Sequence, residues 1–184
     1  MKKSKDAGFS LIELLIAIGI FSVLAAAVGS VYVSTSRAIT LQNATAGVQQ
    51  SVRTALEIMA QDIRMAGYNP MEIDPNPPSI EIADSNKIRV TSDRNKNGTI
   101  DEDDFERISY ELNGNDLRRI LYEATGSSSA QTIIENVTEL EFTYSGTNNS
   151  IVDIILTVEE NAGYGNTVAR TLQTRVYCRN LDTN

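Results

Sequence analysis

The sequence has no histidine and no tryptophan, one cysteine (Cys178) and four prolines in 184 residues. Without histidine there is no Ser-His-Asp triad, no imidazole base and no histidine-based zinc site. A lone cysteine makes no disulfide within the chain and builds no thiolate zinc or iron–sulfur centre. Positive charge is scarce as well. Sixteen Lys and Arg stand against 24 Asp and Glu, giving a formal charge of −8 and a pI near 4.6. General electrostatic binding of nucleic acid is therefore not expected. No nucleophile has a lysine or histidine base at a readable spacing, so a membrane-tethered hydrolase is not expected either. The length suits one domain with an anchor.

What is present is strongly asymmetric. Lys2, Lys3 and Lys5 precede a run of 20 uncharged residues, 14–33, LLIAIGIFSVLAAAVGSVYV. As a helix this run is about 30 Å long, one hydrocarbon core. A secretory signal would have a shorter apolar core before its cleavage site, although A-x-A triplets do occur around Ala25–Ala27. A buried core helix is rarely apolar on every face for so long. A single membrane span fits best, with the lysines on the cytoplasmic side and the acidic remainder outside. Glu13 sits at the edge of this run. It can close a capping box with Ser10, or it can be a carboxylate held for pairing with another chain. A free α-amine on Phe9, made by a cut between Gly8 and Phe9, would be such a partner.

The stretch AGFSLIELLIAIGIF (residues 7–21) resembles the processing signal of type IV prepilins and pseudopilins. The resemblance implies that a prepilin peptidase cuts between Gly8 and Phe9 and methylates Phe9. It also implies that Glu13 meets the amino end of a neighbouring subunit during assembly. The apolar helix would serve first as an anchor in the lipid bilayer and then as filament core. Many major pilins carry a proline where this chain has Ser30.

Beyond the span, Leu41, Ala44, Val48, Val52, Ala55, Met59, Ile63 and Ala66 recur at steps of three or four. That is one apolar stripe of a continuing helix, expected to pack the head. Gly67 and Pro70 stop it. The helix is expected from about Ser10 to Ala66. A proline-rich loop follows. Short β-like runs are expected near 87–91, 107–112, 117–122, 140–144, 151–158 and 167–179, with a hairpin turn at Asn113-Gly114-Asn115. The poorly alternating run 151–156 is expected to be a central strand. The fold class is α+β and pilin-like: a long N-terminal helix, transmembrane in its first half, against an antiparallel sheet. The expected divisions are a leader at 1–8, a transmembrane and filament-core helix at 9–33, an amphipathic helix at 34–67 and an extracytoplasmic head at 68–184.

Several head segments extend the resemblance: residues 55–70, 106–112, 116–123, 133–144 and 176–180. They resemble PilW-type minor pilins and, less closely, the J-type minor pseudopilin of type II secretion. The implied function is a minor pilin near the tip of a type IV pilus, helping to start assembly, with adhesion by the head a further possibility of that class. The alternative is a minor pseudopilin of a secretion or DNA-uptake machine. Implied partners are the prepilin peptidase, other minor and major pilins, and the inner-membrane assembly platform.

One loop suggests a cofactor. In residues 93–104, oxygen-bearing side chains fall at positions 1, 3, 5, 9 and 12 with glycine at 6. The spacing resembles an EF-hand calcium loop, although no flanking helices are expected. Ca²⁺ takes six to eight hard oxygens in a flexible cage. The expected ligands are Asp93, Asn95, Asn97, the Thr99 carbonyl, Asp101 through a water, and Asp104, with Gly98 at the turn. The bland alternative is an acidic hairpin loop, since Asn97-Gly98 is itself a turn signal.

Overall fold

The computed structural model describes residues 9–71, 78–101, 105–122 and 128–181. It comprises two compact units, Met1–Gln42 and Asn43–Asn184. Helix α1, Leu11–Arg64, has 54 residues and runs through both.

In the first unit the apolar side chains of α1 are exposed on every face. With a mean hydropathy of 2.6 over its most apolar window, the helix is long and apolar enough to cross a membrane. Ser22 and Ser30 donate back to the carbonyls of Gly19 and Ala27 at 2.8 Å, which satisfies both hydroxyls within the helix.

In the second unit α1 buries one face: Val48, Val52, Ala55, Leu56, Met59, Ala60 and Ile63. The stripe begins later than its spacing suggested. Leu41 is exposed and Ala44 half-buried. The helix tightens at its end, where Met65 and Ala66 donate to the carbonyls three residues back. Gly67 then takes φ +75°, and its N–H donates to the Thr91 carbonyl at 2.9 Å. A side chain there would also meet Ser79 Oγ at 2.5 Å, so glycine is required twice over.

Two antiparallel sheets close over this face. The first has five strands in sequence order: β1 (Ile80–Ala83), β2 (Lys87–Thr91), β3 (Arg107–Asn113), β4 (Asp116–Tyr122) and β5 (Ser128–Ile134). The second has β6 (Val137–Ser145), β7 (Ile151–Gly163) and β8 (Asn166–Tyr177), with β7 in the centre. β1 and β5 were not expected, nor was the division into two sheets. β7 is central as expected, and it alternates half-buried and buried side chains from Ile151 to Val158. The β3–β4 hairpin turns at Gly114-Asn115, with Asn113 opposite Asp116.

Both sheets contribute to one core with α1. Ile88, Val90, Ile108, Tyr110 and Leu117 come from the first, and Leu140, Phe142, Val152, Ile154 and Leu156 from the second. Each such apolar side chain contributes about 1.5–3 kcal/mol by leaving water. Backbone bonds also join the sheets, from Phe142 N–H to the Ser85 carbonyl and from Val137 N–H to the Asn115 carbonyl. After β8 the chain returns to the helix end. Cys178 N–H donates to the Ser150 carbonyl, and the Asn180 side-chain amide donates to the Ala66 carbonyl at 3.2 Å.

Candidate functional site

Among the described residues, three places bear on function. The first is the start of α1. Phe9 is exposed, and the Glu13 carboxylate accepts the Ser10 N–H at 3.0 Å, one half of a capping box. Gly8, the residue before the expected cut, lies outside the described residues.

The second is a buried ionic cluster around Asp62, in the last turn of α1. Its carboxylate accepts the Tyr110 hydroxyl at 2.6 Å, Arg119 Nε at 2.8 Å and Arg94 Nη2 at 3.1 Å. The three donors come from β3, from β4 and from the loop after β2. One carboxylate thus ties the helix to the sheet and to the loop. Burial, then the Asp62 charge and hydrogen bond, pushes the Tyr110 phenol well above its ordinary value. The Arg119 guanidinium is also raised: burial works against its charge, but the Asp62 hydrogen bond and charge outweigh it. A tyrosine raised in the folded state stabilises below its ordinary value of about 10, and that contribution fades as pH climbs above it. The sequence reading missed this cluster. Its signals were a carboxylate between Met59 and Ile63 on the buried face, and an arginine at an inward position of β4. Arg118 and Arg119 look like a basic pair in sequence, but strand alternation sends them to opposite faces of the sheet.

The third is the loop between β2 and β3. Two fully buried carboxylates organise it. Asp93 accepts backbone N–H groups of Lys96, Asn97 and Gly98 at 2.7, 3.2 and 3.0 Å. Glu106 accepts those of Arg94, Asn95 and Asp101 at 2.8, 3.1 and 2.7 Å. Lys96 and Gly98 both take positive φ, which turns these amides inward. The other expected ligands gather around Asp101. Its carboxylate accepts the Asn97 amide at 2.6 Å and the Asn95 amide at 3.4 Å. The Thr99 hydroxyl lies 3.2 Å from it and 2.8 Å from Asn97 Oδ1. The Asn97 hydrogen bond, above all, holds the Asp101 carboxyl below the usual range. Asp104 lies outside the described residues. Among the described residues no group of three or more acidic, His or Cys side chains is placed to hold a metal. Asp93 faces backbone amides, and Asn95, Asn97, Thr99 and Asp101 meet one another.

The family described as prepilin peptidase-dependent protein B matches residues 41–178, and the prokaryotic N-terminal methylation motif matches residues 3–29. The chain belongs to the prepilin peptidase-dependent protein B family. No curated protein and no solved structure matches it. The chain is therefore a structural assembly subunit of the type IV pilin and pseudopilin kind, and not an enzyme. Partnership with the peptidase and with pilin-like subunits follows at that general level. The head match covers the Asp62 cluster, the β2–β3 loop and both sheets.

Proposed function

We propose that the chain is a minor pseudopilin-like subunit of a type II secretion or DNA-uptake machine. The observation that carries this reading is the family match over residues 41–178. It favours that role over the tip of a type IV pilus, which the resemblance of the head segments to PilW-type minor pilins had suggested. In this reading the precursor sits in the inner membrane with its head outside the cytoplasm. The prepilin peptidase cuts it between Gly8 and Phe9 and methylates Phe9, and the assembly platform takes up the mature subunit. Affinity purification of the mature chain from native membranes tests it. Co-purification of secretion or uptake pseudopilins is expected, and a set of pilus subunits would overturn it.

Processing gives its own test. The mature chain should begin with N-methylated Phe9 and be shorter than the 184-residue precursor by the residues up to Gly8. Intact mass would show this, and a cut near Ala27 would contradict it. Glu13→Ala should insert normally, because a carboxylate beside hydrocarbon is costly. It should lose cross-links to neighbouring subunits by several-fold, because the Phe9 amine of the neighbour loses its carboxylate.

For the β2–β3 loop we propose weak calcium binding by Asn95, Asn97, the Thr99 carbonyl and Asp101, with Asp93 and Asp104 completing the set. The gathering of Asn95, Asn97 and Thr99 around the Asp101 carboxylate supports it. Binding would turn the Asn97 amide so that its oxygen, not its nitrogen, faces the ion. Millimolar Ca²⁺ should raise the melting temperature, and Mg²⁺ should do so much less. A hundredfold excess over Kd stabilises by about 2.7 kcal/mol. Asp101→Asn is the informative variant, since Asp93→Ala would also strip acceptors from three backbone amides. The lowered Asp101 carboxyl stays charged as pH falls, so the response should persist at about pH 5 and fade in stronger acid. No melting shift in Ca²⁺ would leave only the backbone-capped loop.

A further inference from the structure

β8 ends its sheet: β7 pairs with one side of it, and among the described residues no strand pairs with the other. Beside the middle of β8, α1 leaves an open groove of about 620 Å³, walled by Leu172 and Gln173 on the strand and by Leu56 and Ala60 on the helix. Arg53 and Arg64 line the helix side of it. Both are exposed, and neither has a carboxylate partner among the described residues, in a chain of net charge −8. Among the described residues, the guanidinium groups of Arg89, Arg94, Arg107, Arg119 and Arg175 are instead tied to Asp62, Glu81 or Asp153.

An unpaired strand edge offers backbone donors and acceptors to an incoming extended chain. The two arginines select for negative charge in that chain. They are eleven residues apart on α1, about 16 Å, which an extended chain covers in about five residues. Side chains on one face of a strand recur every second residue. A segment with carboxylates four residues apart, about 13 Å, and an apolar side chain midway puts both carboxylates within the reach of the long arginine side chains and sets its centre over Leu56 and Ala60. Glu57, also at the groove, disfavours a third carboxylate in the middle. A second copy of this chain, paired edge to edge, would bring arginines towards arginines and is disfavoured.

We infer that the groove between α1 and the open edge of β8 receives an extended, acid-bearing segment of a neighbouring subunit, which adds as a fourth strand beside β8. This rests on the reading of the chain as an assembly subunit and names the surface through which the head is joined.

The test uses the full chain in detergent micelles and short labelled peptides, followed by fluorescence anisotropy. The probe peptide carries glutamates four residues apart with valine between them. One control replaces the glutamates by lysines, and another has N-methylated backbone amides. Saturable binding of the glutamate peptide is expected, at least ten-fold tighter than either control. Arg53→Glu with Arg64→Glu, both at exposed positions, should reverse the preference between glutamate and lysine peptides. No saturable binding up to about 1 mM, or equal binding of the two charge types, would overturn the proposal. In cells, a photo-crosslinker at Gln173 should join a neighbouring pilin-like subunit through an acidic segment, and the double charge reversal should abolish that product. A product formed only with a second copy of the chain, or one indifferent to the reversal, would also overturn it. Cross-links made from the anchor helix separate the two levels. If they persist while the Gln173 product is absent, the groove proposal fails and the assembly reading stands. If both are missing from wild-type membranes, the assembly reading itself fails.

Discussion

Replacing Asp62 by alanine is expected to lower the unfolding free energy of the full chain by about 3–5 kcal/mol, the cost of removing one partner from a buried ion pair. The loss follows from what is left behind. Arg119 keeps a largely buried guanidinium without its carboxylate, and the buried Tyr110 hydroxyl loses its acceptor. Urea unfolding in micelles would measure it. Replacing the whole cluster with apolar residues should behave differently. Asp62→Leu with Arg119→Met and Tyr110→Phe leaves no stranded donor at the centre, and most of the loss should be recovered. If the single variant costs under about 1 kcal/mol, as a surface ion pair would, the cluster does not tie helix to sheet.

The second large effect belongs to Glu106. Its side chain is fully buried and accepts three backbone N–H groups from residues 94, 95 and 101. Glu106→Ala orphans all three, at about 1–3 kcal/mol for each donor that water cannot reach. The damage should be local first. Amide exchange in residues 94–101 should accelerate by an order of magnitude or more while β7 and β8 stay protected. Glu106→Gln keeps one acceptor oxygen and should fall between. Unchanged exchange in the alanine variant would mean that Asp93 suffices to hold the loop.

These two carboxylates also mark the limit of what the sequence discloses. The end of α1 was legible because its signals are local: an apolar stripe, then Gly67 and Pro70. Six of the eight strands were legible because they carry runs of Ile, Leu, Val, Tyr and Phe. β5, with the sequence SSAQTII, escaped because it has little apolar content before its last two residues. β1 is four residues long and follows the prolines. In the β2–β3 loop the spacing of oxygen-bearing residues was visible, but their direction was not. Asp93 turns to the backbone, and Glu106, immediately before β3 and outside the expected ligand set, does the same. The Asp62 cluster was invisible because Tyr110 and Arg119 lie 48 and 57 residues away along the chain, and only the folded sheet brings them to the helix.

The closing contact of the head has a mechanical meaning. The Asn180 side chain holds the Ala66 carbonyl, 114 residues earlier in the chain, and Cys178 is stitched to Ser150 beside it. Tension applied along α1 is therefore shared at once with the segment that follows β8, and it does not have to travel strand by strand through the intervening sequence. A subunit hauled out of a bilayer by its helix would keep its head folded longest if the load entered at such a seam. Cutting that seam, with Asn180→Ala, should lower the force at which the head gives way far more than it lowers the resting stability.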